Sequence, residues 1–160
     1  MFEPGDALVS FRNLNLLIVF DPHSGVVKWS QTGPWLRQHD PDFLPDGRIL
    51  VFDNRDDGAG GHILGGSRLL AIEPVSRKVE TIYEGTPEEP FFTAGRGTVD
   101  ALDNGNFLIA ERLFGRVFEV TPAGNIVWSF IHRYDDERVV SVNGASRYPE
   151  SFGRFDRSRC

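Results

Sequence analysis

One histidine and a scatter of arginines are the residues whose types and placement could do chemistry. His39 stands in the stretch QHDPDFLPDGRILVFDN, with Asp40 beside it and Asn54 and Arg55 beyond the next turn. Seven positions after a turn glycine, three copies of a repeated unit carry Arg12, Asn54 and Arg112, while Arg37 and Arg96 begin two candidate strands. A neutral imidazole is a competent nucleophile. A guanidinium keeps its charge and offers a planar fork to two oxygens. Gathered at one place, these groups suit a site for a tetrahedral oxyanion. The alternative is structural: arginines solvated or paired with Asp53, Asp56, Asp57 or Glu111, and His39 a hydrogen-bonded strand-start residue. His23 falls in a turn on the opposite side, and His62 and His132 lie in connecting segments that reach such a site only by folding inward.

The elements that must position these residues are written as a repeat. PGDALVSFR, DGRILVFDN and NGNFLIAER align without gaps on Gly5, Gly47 and Gly105, which are 42 and 58 residues apart. Each is a tight turn followed by a strand. A second apolar run follows in each copy (NLLIVFDP, SRLLAIEP, GRVFEVTP), and then a third (GVVKWSQTG, RKVETIYEG, GNIVWSFIH). The second interval is longer because of an insert, NRDDGAGGHILGG, read as a mobile lid or a plain surface loop. A period near 50 residues with three or four short strands per copy predicts an all-β chain of four-stranded antiparallel β-propeller blades. The blades span about 5–31, 37–84 and 96–131, within a partial propeller of residues 1–131. Residues 132–160 leave the pattern as a closure segment and tail. The first copy lacks its innermost strand, so about two and three-quarter blades are expected. Further blades before Met1, or a second copy of the chain, would complete the ring.

In such a meander the start of the innermost strand and the end of the next one share a rim. His39, Arg37 and Arg96 therefore fall on the same rim as Arg12, Asn54, Arg55 and Arg112. The chain of 160 residues has a formal charge of −6 and a sequence pI near 5.2. That balance disfavours nucleic acid, which needs clustered cations. No apolar run approaches the length of a membrane span. With Cys160 as the single cysteine, no intrachain disulfide forms. DNRDDG fails as a calcium loop, because Arg55 takes a ligand place and Leu64 stands where the bidentate Glu belongs; Asp53, Asp56 and Asp57 leave at most a loose calcium site. GAGGHILGG opens no helix and is no dinucleotide fingerprint.

QHDPDFLPDGRILVFDN, with GNIVWSF closing a later copy and ASRYPESF near the end, resembles the arylsulfotransferase (ASST) family of β-propellers over roughly residues 5–155. The resemblance implies a six-bladed ring that moves a sulfuryl group from a phenolic sulfate ester to a phenolic acceptor through a sulfohistidine. Neither the nucleotide sulfate donor PAPS nor any cofactor or metal takes part. It places His39 in the active site, with Arg55 as a sulfate clamp; Asn54, Arg12, Arg112 and Arg96 join them as sulfate-binding candidates from the shared rim. It also implies a periplasmic or secreted protein, although no leader follows Met1. The reading from a different class is a propeller that binds or scaffolds without catalysis, since architecture alone does not settle function.

Overall fold

The structure is a computed structural model and describes residues 1–148. Eleven strands carry it: β1 (Ala7–Phe11), β2 (Leu16–Phe20), β3 (Val27–Thr32), β4 (His39–Phe43), β5 (Ile49–Asp53), β6 (Arg68–Ile72), β7 (Val79–Glu84), β8 (Thr98–Ala101), β9 (Phe107–Glu111), β10 (Arg116–Val120) and β11 (Ile126–Ile131). They form three antiparallel meanders, in the orders β1-β2-β3, β4-β5-β6-β7 and β8-β9-β10-β11. The first sheet has three strands and the other two have four. Among the described residues the only helical turn is a short 3-10 segment, Arg12–Leu14.

The turn glycines do what the sequence asks of them. Gly47 and Gly105 sit at φ +86° and +83°, and each amide closes onto a carbonyl three residues back, that of Leu44 at 2.9 Å and Leu102 at 2.8 Å. The innermost strands begin two residues later than the pattern suggests, at His39 and Thr98. Arg37 (φ +55°) and Arg96 (φ +60°) are left-handed, outside the extended region of a regular strand.

The middle sheet is covered on both faces, which explains why its sequence reads ILVF without alternation. Ile49, Val51, Leu70 and Ile72 face the first sheet and pack with Leu17, Val19, Trp29 and Trp35. Leu50, Phe52, Leu69 and Ala71 face the third and pack with Ile109, Phe118 and Val120 around Tyr83 and Phe91. Gly97 is fixed by this packing: a Cβ there would stand 2.7 Å from the Phe52 ring, at a backbone φ of +91°. Gly97 aligns with His39 in the repeat, so the ring of Phe52 fills the space a second histidine would need.

A charged clamp is built twice. The last residue of β5, Asp53, faces the first residue of β6, Arg68; the carboxylate takes Arg68 Nε at 2.8 Å and the Leu36 amide at 2.8 Å, while Arg68 donates to Pro34 O at 2.8 Å. Glu111 and Arg116 repeat the arrangement on β9 and β10, with the Phe92 amide at 2.7 Å and Pro90 O at 2.7 Å. Each clamp ties down the connection that enters its sheet. Burial pushes the Glu111 carboxyl above the usual range, against the opposing pull of the Phe92 amide and Arg116.

After β11 the chain turns back. A bridge joins Arg133 to Val139, Val142 donates to Arg112 O at 3.3 Å, and Val142 and Ala145 cover Leu108, Ala110 and Val117 on the outer face of the third sheet. Arg147 pairs with Glu119 at the far end of that face. The segment wraps over the sheet; it adds no edge strand. FDRSRC lies outside the described residues.

Arg116→Ala leaves the Glu111 carboxylate, 2% exposed, with one backbone donor. Urea denaturation should show a loss of about 3 kcal/mol, the cost of orphaning a buried charge. The pair Glu111→Gln with Arg116→Met, which keeps an acceptor for the Phe92 amide, should recover much of it.

Candidate functional site

His39 is held by a buried amide. Asn54, fully buried, donates its Nδ2 to two carbonyls, Thr93 O at 2.8 Å and Arg96 O at 2.7 Å. Its Oδ1 therefore points the other way, 2.6 Å from His39 Nδ1. A carboxamide oxygen only accepts, so Nδ1 carries the proton and Nε2 carries the lone pair. Nε2 accepts from the Arg96 amide at 3.3 Å, the longest contact of the network. The same set joins the end of β5 to the loop that leads into β8. Sequence reasoning placed His39, Asn54 and Arg96 on one rim, and the structure brings these three into direct contact.

The arginines are distributed unequally. Arg12 and Arg37 share Asp56, at 3.2 Å and 2.6 Å, and Arg37 first of all holds the Asp56 carboxyl below its usual range. Two cations with one anion leave this corner positive. Arg96 Nη1 and Arg112 Nε both donate to Asn143 Oδ1, each at 3.3 Å. Asn143 is neutral, so that contact orients two guanidiniums without discharging either. It comes from the wrapped segment, 31 residues from Arg112, and nothing in the repeat announces it. Three of the rim arginines, Arg37, Arg55 and Arg96, have positive φ, a strained state that persists only where the surroundings impose it.

Arg55 goes elsewhere. No hydrogen bond or ion pair among the described residues joins its side chain to His39; its Nη1 is 3.8 Å from Glu84 Oε2, and it lines a cleft between the insert and residues 84–92. The insert is also tied down. The Asp57 carboxylate accepts the amides of Ala59, Gly61, Ile63 and Leu64 at 2.8 to 3.1 Å, and those bonds, Ala59 first, hold its pKa at about 2. The insert, read as a mobile lid or a plain surface loop, is folded around its own carboxylate as a nest. Asp53, Asp56 and Asp57 each serve a different partner: Arg68, the arginine pair and the nest. Their carboxylates do not converge on one point. His62 lines the same cleft as Arg55, His132 stacks near Phe130, and His23 sits in the turn after Asp21.

Three small antiparallel sheets, packed face to face with several arginines collected at one rim, give an all-β, propeller-like arrangement. The sequence profile of the arylsulfotransferase (ASST) family matches residues 1–133, and the chain belongs to that family. No curated protein matches the sequence. Among solved structures, a protein of unknown function from Bacteroides caccae is similar at 22% identity and a TM-score of 0.53, over 79% of this chain and 42% of that one. Virginiamycin B lyase from Staphylococcus aureus, a propeller-like neighbour, is similar at 14% identity and a TM-score of 0.52, over 76% of this chain and 36% of the lyase. The chain thus spans less than half the length of either. At those identities the likeness concerns the fold alone.

Asp40, the second residue of β4, has φ +49°, and its carboxylate accepts the Val99 amide of β8 at 2.8 Å. Burial raises its carboxyl above the usual carboxylate range, the Val99 amide opposes the shift, and Asp42 and Asp100 add to it. A raised acid stabilises the fold when protonated, and that contribution is lost as the pH climbs through its folded pKa. Asp40→Asn keeps the acceptor and tolerates the left-handed backbone. Its melting temperature should exceed wild type at neutral pH, and the gap should close as the pH falls below the usual carboxylate range; a wild type that is the more stable at neutral pH would contradict this.

Proposed function

We propose that this chain supplies part of the sulfuryl-transfer site of an arylsulfotransferase-type propeller, with His39 as the nucleophile. The observation that carries the proposal is the Asn54 lock, which fixes the proton on Nδ1 and leaves the Nε2 lone pair on the rim where Arg96 and Arg112 have no carboxylate partner among the described residues. In the proposed reaction Nε2 displaces the Arg96 amide contact and attacks the sulfur of an aryl sulfate. The N–S bond forms as the S–O bond to the aryl group breaks, and the phenoxide departs. The oxygen of an acceptor phenol then attacks sulfur, its proton passes to solvent or the leaving side, and the electron pair of the N–S bond returns to Nε2. Guanidiniums stabilise the charge spread over the sulfuryl oxygens in both steps. The three sheets would be blades of a six-bladed ring, completed by further blades or by a second copy of the chain.

A second reading has its own support. Both ring nitrogens of His39 already have partners, which suits a histidine that holds the loop entering β8 in a propeller that only binds. The two readings part on one assay, sulfuryl transfer from 4-nitrophenyl sulfate to phenol by the intact protein. On the catalytic reading, His39→Ala lowers kcat by at least about 10³-fold and Arg112→Ala by about 10²-fold, with the fold unchanged by circular dichroism. Wild-type turnover retained in His39→Ala would refute the nucleophile, and no turnover in the wild type would leave the binding reading.

A further inference from the structure

The cleft that holds Arg55 is a second concave site, separate from the His39 network. It measures about 510 Å³ and lies between the insert and the connection from β7 to β8. Arg55 and His62 supply its nitrogen donors, and Phe92, Pro87 and Pro90 supply apolar wall. The shape is fixed by close backbone approach. A Cβ on Gly66 would stand 2.4 Å from Phe91 O, one on Gly85 would stand 2.5 Å from the Phe91 amide, and one on Gly61 would stand 2.7 Å from the Phe92 ring. Beneath lies the Phe52–Phe91–Phe118–Tyr83 aromatic cluster, and on the other side the Asp57 nest holds the insert. The cleft is therefore preformed, as ligand sites usually are.

Its charge is open. Arg12, Arg37, Arg68 and Arg116 each have a carboxylate within 3.2 Å. Among the described residues the carboxylate paired with Arg55 is 3.8 Å away on Glu84, whose side chain is 57% exposed while that of Arg55 is only 21% exposed. A largely covered guanidinium with a loose, solvated counter-ion is poised to take an incoming oxyanion. The ring of Phe92 and the two prolines ask for a flat apolar body on the same ligand.

We propose that this cleft is a binding site for a small aryl oxyanion of the sulfate or sulfonate type, its charged end on Arg55 and His62 and its ring against Phe92. The choice of an aryl sulfur oxyanion rests on the sulfuryl-transfer reading; the cleft and its open cation do not. A site of this kind would hold donor beside the rim, outside the reacting centre.

The test uses benzenesulfonate, which has the tetrahedral anion and the ring but no ester to cleave, and neutral benzyl alcohol as its control. Titration into the isotopically labelled chain should shift the Phe92 and His62 resonances with benzenesulfonate and leave them in place with benzyl alcohol. Arg55→Gln should weaken the benzenesulfonate response at least about tenfold, as expected for the loss of a charge-assisted contact. His62→Ala, on an exposed loop position that does not endanger folding, should weaken the Phe92 response several-fold, and His39→Ala should leave it intact. Phe92 and His62 signals that stay in place, that move equally in Arg55→Gln, or that move equally with benzyl alcohol would overturn the site. Because the readout is local to the cleft, its failure is distinct from a loss of turnover at His39.

Discussion

The buried side chain of Asn54 is the interaction on which the rim depends. It spends both amide hydrogens on main-chain carbonyls of the loop before β8 and its oxygen on His39. One side chain thus sets where the third sheet enters, which tautomer the histidine adopts and where the Arg96 backbone lies. A buried amide with three partners in place costs little; the same amide with one partner missing would be a strong penalty. The two bonds to main-chain carbonyls support the loop from Thr93 to Gly97, whose left-handed residues an unsupported segment would relax.

Around this lock the arginines divide by what neutralises them. Those at the sheet junctions, Arg68 and Arg116, are consumed by Asp53 and Glu111 and hold connections in place. Arg12 and Arg37 share one carboxylate, and Arg96 and Arg112 share a neutral amide. Positive charge therefore survives at the rim. An acidic chain arrives at a cationic end by placing its acids where they pair and its surplus guanidiniums where they do not.

Much of this was legible in the sequence. The Gly47 and Gly105 turns, the apolar runs between them and the missing inner strand of the first copy point to the three sheets, because turn chemistry and strand periodicity are local properties. The shared rim of His39, Asn54 and the arginines followed from strand direction alone. What the sequence could not disclose depends on side-chain reach across the fold. Arg55 follows Asn54 directly, yet its left-handed backbone turns its side chain into the cleft beside Glu84. Asn143 reaches Arg96 and Arg112 from a segment outside the repeat. The clamp of Asp53 with Arg68 and Glu111 with Arg116 was present twice in the text of the chain, but both acids also read as partners for the rim arginines. The insert looked mobile because it is rich in glycine; four amides converging on Asp57 show why it is ordered.

The claim that the Asn54 lock prepares Nε2 of His39 for covalent chemistry is tested most directly by trapping. The intact protein would be mixed with 4-nitrophenyl sulfate in the absence of acceptor, quenched in base and mapped by peptide mass spectrometry. The account predicts a sulfuryl adduct on the peptide that contains His39, located on Nε2 and absent from His39→Ala. Release of nitrophenol with that peptide unmodified, or with the adduct on another residue, would contradict it.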